Sequence, residues 1–150
     1  MIRERIAEET KTAMKSGDKP RLSTLRLVSS AIKNAEIEAR TSGKGEVTDD
    51  GLLGLLQKLI KQRQESAELY DKGARPELAA AERAEIAVIQ SFMPQQMNED
   101  ESRAAIAEAI REAGATSAKD MGKVMAALKA RYAGRMDFGK ASGTVKGMLS

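Results

Sequence analysis

Apolar residues recur every three to four positions along nearly the whole chain, and each run is bracketed by residues that start or stop helices. Ile2, Ile6, Ala13 and Met14 form the first stripe, from Met1 to about Ser16, closed by Ser16-Gly17-Asp18. Asp18 caps a second helix with Pro20 in its first turn, where a missing N–H costs nothing. Leu22, Leu25, Val28, Ala31 or Ile32, Ala35 and Ile37 carry that helix to about Arg40, and Thr41-Ser42-Gly43-Lys44-Gly45 reads as a loop. Thr48 caps a third helix with Asp49 and Asp50 in its first turn, where negative charge suits the helix dipole. Its seam of Leu52, Leu56, Leu59, Arg63, Ser66 and Tyr70 alternates four and three like a heptad and turns polar halfway, ending near Asp71. Lys72-Gly73-Ala74-Arg75 is a glycine stop, and Pro76 opens a fourth helix striped by Leu78, Glu82, Ile86 and Val88 or Ile89.

The stretch Phe92-Met93-Pro94-Gln95-Gln96-Met97 interrupts this pattern, because a residue before proline disfavours the helical region. The expected domain boundary lies here, giving an N-terminal helical domain over 1–94 and a small three-helix domain over 95–150. Asn98 with Glu101 is a capping-box pattern that opens a helix over 98–113, with Ala105, Ile106, Ala109 and Ile110 inward and Gly114 as its stop. Ser117 with Asp120 repeats the pattern for 117–132, where Met121, Val124, Met125, Leu128 and Tyr132 share a face. After Ala133-Gly134-Arg135-Met136, Asp137 caps a last helix over 137–149. The prediction is an all-α chain of seven helices without a sheet.

Charge changes this picture at one end. Residues 115–150 hold seven bases, Lys119, Lys123, Lys129, Arg131, Arg135, Lys140 and Lys146, against Asp120 and Asp137, so this segment is +5 where the whole chain is +3. Residues 95–114 are acidic, with two bases against five acids. A solvated face explains such lysines as readily as phosphate contact does. The last helix also carries Gly139, Gly143 and Gly147 at four-residue intervals, each costing about 1 kcal/mol relative to alanine inside a helix. Either close helix packing or the approach of a ligand backbone would account for the row; membrane dimerisation is excluded by Lys140 and Lys146. Gly122, at the start of its helix beside Lys123, has the same dual reading, since free N–H groups there attract phosphate.

Composition removes whole classes of chemistry. The 150 residues are 41% apolar and 31% charged, which is a globular balance. With no cysteine there is no thiol nucleophile, and with no histidine the commonest metal ligand and general base is missing, so neither a metal nor a cofactor is expected. Gly43-Lys44-Gly45 lacks the leading glycine and following Ser or Thr of a phosphate-cradling loop. The N-terminal stretch is charged throughout and no apolar run reaches the ~18 residues of a membrane span, which makes the cytoplasm the default expectation and a membrane partner unexpected. Two Phe, two Tyr and no Trp leave no platform for stacking bases, so any RNA contact would be to backbone and shape.

The helical hairpin offers a second candidate. A short turn between the third and fourth helices brings Arg63, Ser66 and Tyr70 near Glu82 and Glu85, with Arg75 at the turn. The plain reading is a charge-paired polar rung, and the functional one is a small ligand or partner pocket using Arg63, Tyr70 and Glu82.

Several of these residues carry a family likeness. Asp120-Met121-Gly122-Lys123-Val124-Met125, Gly134-Arg135-Met136-Asp137 with Gly139-Lys140, and Val145-Lys146-Gly147-Met148-Leu149 resemble the tail domain shared by the B subunit of tRNA-dependent Asp/Glu amidotransferases and the free-standing YqeY proteins (GatB/YqeY). The segment KQRQESAELYDKGARPEL is similar to that family's most recognisable N-terminal motif, Met93 stands where the family usually has leucine before proline, and the glycine row departs from its usual pattern. The resemblance implies a helical tail that touches the tRNA body without performing chemistry. It therefore points to an accessory protein whose partner is tRNA or a tRNA-handling enzyme. One alternative is an inherited carbon–nitrogen ligase role with glutamine as amido donor, against which stands the lack of an activated nucleophile or a nucleotide loop. Another is a protein-interaction adaptor working through the hairpin.

Overall fold

The computed structural model describes all 150 residues and is wholly helical: α1 (Ile2–Ser16), α2 (Lys19–Thr41), α3 (Asp49–Lys72), α4 (Pro76–Gln90), α5 (Glu99–Ala113), α6 (Met121–Tyr132) and α7 (Phe138–Leu149), with no strand. No helix is long and apolar enough to cross a membrane. The chain divides into two compact units, Met1–Met93 and Pro94–Ser150.

The first unit closes around Ile6, Leu25, Val28, Leu52, Leu56, Ile89 and Phe92. Arg5 lies over the Phe92 ring, 5.3 Å from its centroid, and donates to the Ser91 carbonyl at 3.0 Å, which fastens α1 to the end of α4. The α3–α4 hairpin runs on past this core, where the buried residues are the small Ala67 and Ala79. The second unit packs α5, α6 and α7 around Ile106, Val124, Leu128, Met136 and Val145.

Caps fix the helix starts. Asp18 Oδ1 accepts from the Arg21 N–H at 3.2 Å, Thr48 Oγ1 from the Gly51 N–H at 3.1 Å, and Asn98 and Glu101 form a full capping box. Asp137 Oδ1 accepts from the N–H groups of Gly139 and Lys140 at 3.0 and 3.2 Å. Each such cap is worth about 1 kcal/mol.

The structure corrects several expectations. Met14, Ile37 and Leu78 are exposed rather than inward. Ala13 and Ala79 take the buried positions beside two of them, and one residue along a helix is a rotation of about 100°. Ile37 lies five residues past Ile32, the last buried residue of α2, and so points well away from that face. On α3 the buried set is Leu52, Leu56, Ile60 and Ala67, with Leu59 only half-buried. The helix follows its own 3.6 period there instead of the heptad seam.

Two further corrections fall in the second unit. Ser117 makes no side-chain capping bond; Ala118–Asp120 is a 3-10 turn and α6 begins at Met121. Asp120 instead looks backwards, its Oδ2 accepting from the Thr116 N–H at 3.0 Å. The glycine row of α7 does not serve close packing. A Cβ on Gly143 or Gly147 would meet no neighbouring atom within 4 Å, and one on Gly139 only Asp137 Oδ1 at 3.2 Å.

Candidate nucleic-acid interface

The basic residues of α6 and α7 owe their positions to the apolar stripes beneath them. On α6, Val124 and Leu128 are buried with Met121, Met125 and Tyr132 packed alongside, which turns Lys123 directly outward and leaves Lys129 and Arg131 at the flanks. On α7, Ala141, Val145 and Leu149 face the core, so Gly139, Gly143 and Gly147 run down the outer side between Lys140 and Lys146. Lys119 sits exposed in the 3-10 turn before α6.

The seven cations are not equivalent. Arg131 is tied to Glu112 across α5 and α6, and this bond holds the Glu112 carboxyl below the usual carboxylate range and raises the Arg131 guanidinium. Arg135 is a strut in the hinge. Its Nε donates to the Gln95 carbonyl at 3.0 Å, its guanidinium lies 5.9 Å from the Tyr132 ring centroid, and its own carbonyl accepts from the Met97 N–H at 2.9 Å. The five lysines, 119, 123, 129, 140 and 146, are exposed, and every ion pair in the protein is made by an arginine or the N-terminal amine. Lys140 also lines a small cavity of about 190 Å³ with Arg103, a residue that sequence reasoning left out because it stands on the acidic helix. Glu99 and Asp137 border the same cavity, so its charges balance.

The hairpin candidates are arranged differently. Arg63 Nε donates to Glu85 Oε2 at 2.9 Å and its Nη1 to the Leu59 carbonyl at 3.1 Å, with the arginine side chain only 15% exposed. Glu82 is half-buried and outside that pair, as are Ser66 and Tyr70, while Arg75 is exposed at the start of α4. Arg75 contributes its backbone N–H, which donates to the Tyr70 carbonyl at 2.8 Å and closes the turn. An unforeseen pair, Asp71 with Arg83, sits near the tip. The arginine's hydrogen bond holds Asp71 below its ordinary range. The left-handed backbone of this turn falls on Ala74, at φ 56°, rather than on Gly73.

A two-unit helical protein with a cationic, glycine-lined outer helix face is the class that the fold and this surface define. The chain belongs to the YqeY family: the family model described as Yqey-like protein matches residues 3–149. Among curated proteins it is 31% identical over 132 residues to "Altered inheritance of mitochondria protein 41, mitochondrial" of Pyrenophora tritici-repentis, covering 85% of this chain and 71% of that one. It is 36% identical over 88 residues to the protein of the same name from Vanderwaltozyma polyspora, covering 59% of this chain and 46% of the relative. An uncharacterised protein of Schizosaccharomyces pombe is 33% identical over 90 residues, covering 60% of this chain and 70% of its own length. The chain thus spans about half the length of some relatives and two thirds or more of others. The mitochondrial names of the first relatives overturn the cytoplasmic placement drawn from the charged N-terminal stretch.

Proposed function

We propose that the protein is an accessory module without chemistry of its own that holds tRNA, alone or beside a tRNA-handling enzyme, through the outer face of α6 and α7. The observation that carries this reading is the contrast in partners on one small unit: Arg111, Arg131 and Arg135 are engaged by Glu108, Glu112 and the Gln95 carbonyl, while the five lysines keep their charge unpaired. Open space at Gly143 and Gly147 leaves room for a ligand backbone against the helix between Lys140 and Lys146. With no aromatic platform on that face, the contact is to phosphates and to the shape of folded RNA. The likeness of this unit to the amidotransferase tail supports the choice of tRNA.

The test is binding of purified tRNA across a salt series. Reversing Lys123, Lys129, Lys140 and Lys146 to Glu leaves helicity intact, weakens binding at least tenfold near 0.1 M salt, and flattens the log–log salt slope by about 3.6 units, about 0.9 for each of the four lost phosphate contacts. Reversing Asp49 and Asp50 on α3 leaves affinity no weaker. Absence of binding by the native protein at low salt, or a fourfold variant that binds as tightly, overturns the proposal.

A further inference from the structure

We infer that the outer face of α2 is a docking site for an acidic amphipathic helix of a partner protein. The helix buries Thr24, Leu25, Val28 and Ile32 against its own unit. On the side turned away from that core lies a second stripe, an open groove lined by Lys19, Leu22, Ser23, Arg26, Leu27 and Ser30, with Leu22 half-buried at its edge against the core. These six positions are two overlapping sets, 19-22-23-26 and 23-26-27-30, at spacing i, i+3, i+4, i+7. Four residues so spaced form the hole that accepts one side-chain knob from a facing helix in coiled-coil packing. A third set at 30-33-34-37 continues the face as Ser30, Lys33, Asn34 and Ile37, all exposed. The whole seam runs from 19 to 37, about 27 Å at 1.5 Å per residue.

Its chemistry selects the occupant. Lys19, Arg26 and Lys33 recur every seventh residue and none makes an ion pair, while residues 19–35 contain no Asp or Glu. Beside this cationic row, Leu27 and Ile37 are left 48% and 53% exposed. A helix carrying carboxylates at every seventh position and leucines for the Ser23 and Ser30 holes complements both rows at once. A second copy of α2 does not, because Lys19, Arg26 and Lys33 would face like charges across the seam. A phosphate backbone leaves Leu27 and Ile37 uncovered. A lipid surface takes up a continuous apolar face, and here Ser23, Ser30 and Asn34 interrupt it. The seam lies in the first unit, so the inference stands apart from the tRNA reading.

The experiment uses the full-length protein and two labelled synthetic peptides of four heptads. Both carry leucine in the knob positions; one has Glu and the other Lys opposite the cationic row. Fluorescence anisotropy is expected to show the Glu peptide bound at least tenfold more tightly than the Lys peptide. Arg26→Glu with Lys33→Glu reverses that preference with an unchanged far-ultraviolet spectrum and unchanged tRNA affinity, and Leu27→Ala weakens the Glu peptide several-fold. The inference is overturned if the Glu peptide does not bind at millimolar concentration, or if the double variant keeps native affinity for it. It falls equally if the double variant's loss appears on anionic phosphatidylglycerol vesicles or on duplex RNA instead of on the peptide.

Discussion

In the α3–α4 hairpin two arginines, Arg63 and Arg83, are consumed, and on the outer face of α6 and α7 the lysines are not. Arg63 holds Glu85 and the Leu59 carbonyl, and Arg83 holds Asp71, so the charges of the hairpin bind its two helices together. The lysines of α6 and α7 have no carboxylate within ion-pairing distance. The contrast teaches that a basic residue counts toward recognition only after the fold has made its claims on it. The side-chain cations the fold claims are all arginines, whose planar fork suits carboxylates and carbonyls, whereas the compact, strongly hydrated ammonium of lysine enters no ion pair.

The largest expected break in this comparison comes at Arg63. Because the pair is only partly exposed, Arg63→Ala leaves Glu85 short of its partner and the Leu59 carbonyl short of a donor. We expect a loss of about 2 kcal/mol by urea unfolding. Replacing Arg63 and Glu85 together by leucine costs less than the single change. Lys123→Ala, on the unpaired face, changes stability by less than about 0.5 kcal/mol. A melting temperature unchanged by Arg63→Ala would show that the hairpin cations are as idle as the lysines.

Next in size are the glycines of α7. With open space at both positions, Gly143→Ala and Gly147→Ala each stabilise by about 1 kcal/mol through helix propensity alone. If the outer face receives an RNA backbone, the same two changes weaken tRNA binding while raising the melting temperature. A rise in stability with unaltered affinity would separate the glycine row from the lysines beside it. A comparable gain, about 0.5 to 1 kcal/mol, is expected at the hairpin turn from Ala74→Gly, because Ala74 holds a left-handed backbone that glycine adopts without strain.

The smallest effect concerns pH. Asp71 and Glu112 are depressed in the folded state by Arg83 and Arg131. Their contribution is therefore complete above the ordinary carboxylate values of about 4 and fades as pH falls through the lower folded-state values. Both pairs are solvent-exposed, so the midpoint of unfolding should fall only slightly across that window, and Arg83→Gln with Arg131→Gln should reduce the dependence, leaving the share of Glu4, which its bond to the N-terminal amine depresses in the same direction. A larger drop in the double variant than in the native chain would assign the acid sensitivity to other carboxylates.

Much of the local structure was legible in advance. Asp18, Thr48, Asn98 with Glu101, and Asp137 announce helix starts because their short side chains reach only the next two or three N–H groups, and all four do so. The Ser117 cap failed because Asp120, three residues on, turned back to the Thr116 N–H, a choice between two local bonds that spacing does not decide. At the basic surface, residue identity showed where cations cluster but not which are free. The partners of Arg131 and Arg135 come from 19 and 40 residues away in sequence.

What the sequence determined by itself, then, is what depends on neighbours a few residues apart: seven helices, the side-chain caps of four of them, and the broad amphipathic stripe of each. The tertiary structure alone decided which of several apolar positions entered the core, as Ala13 did and Met14 did not, and Ala79 and not Leu78. It also decided that Arg63 meets Glu85 and not Glu82, and that the glycines of α7 face open space and not a packed helix. Those outcomes turn on how far each helix is rotated about its axis against the others. A rotation of one residue, about 100°, leaves the pattern of the sequence unchanged while exchanging one partner for another.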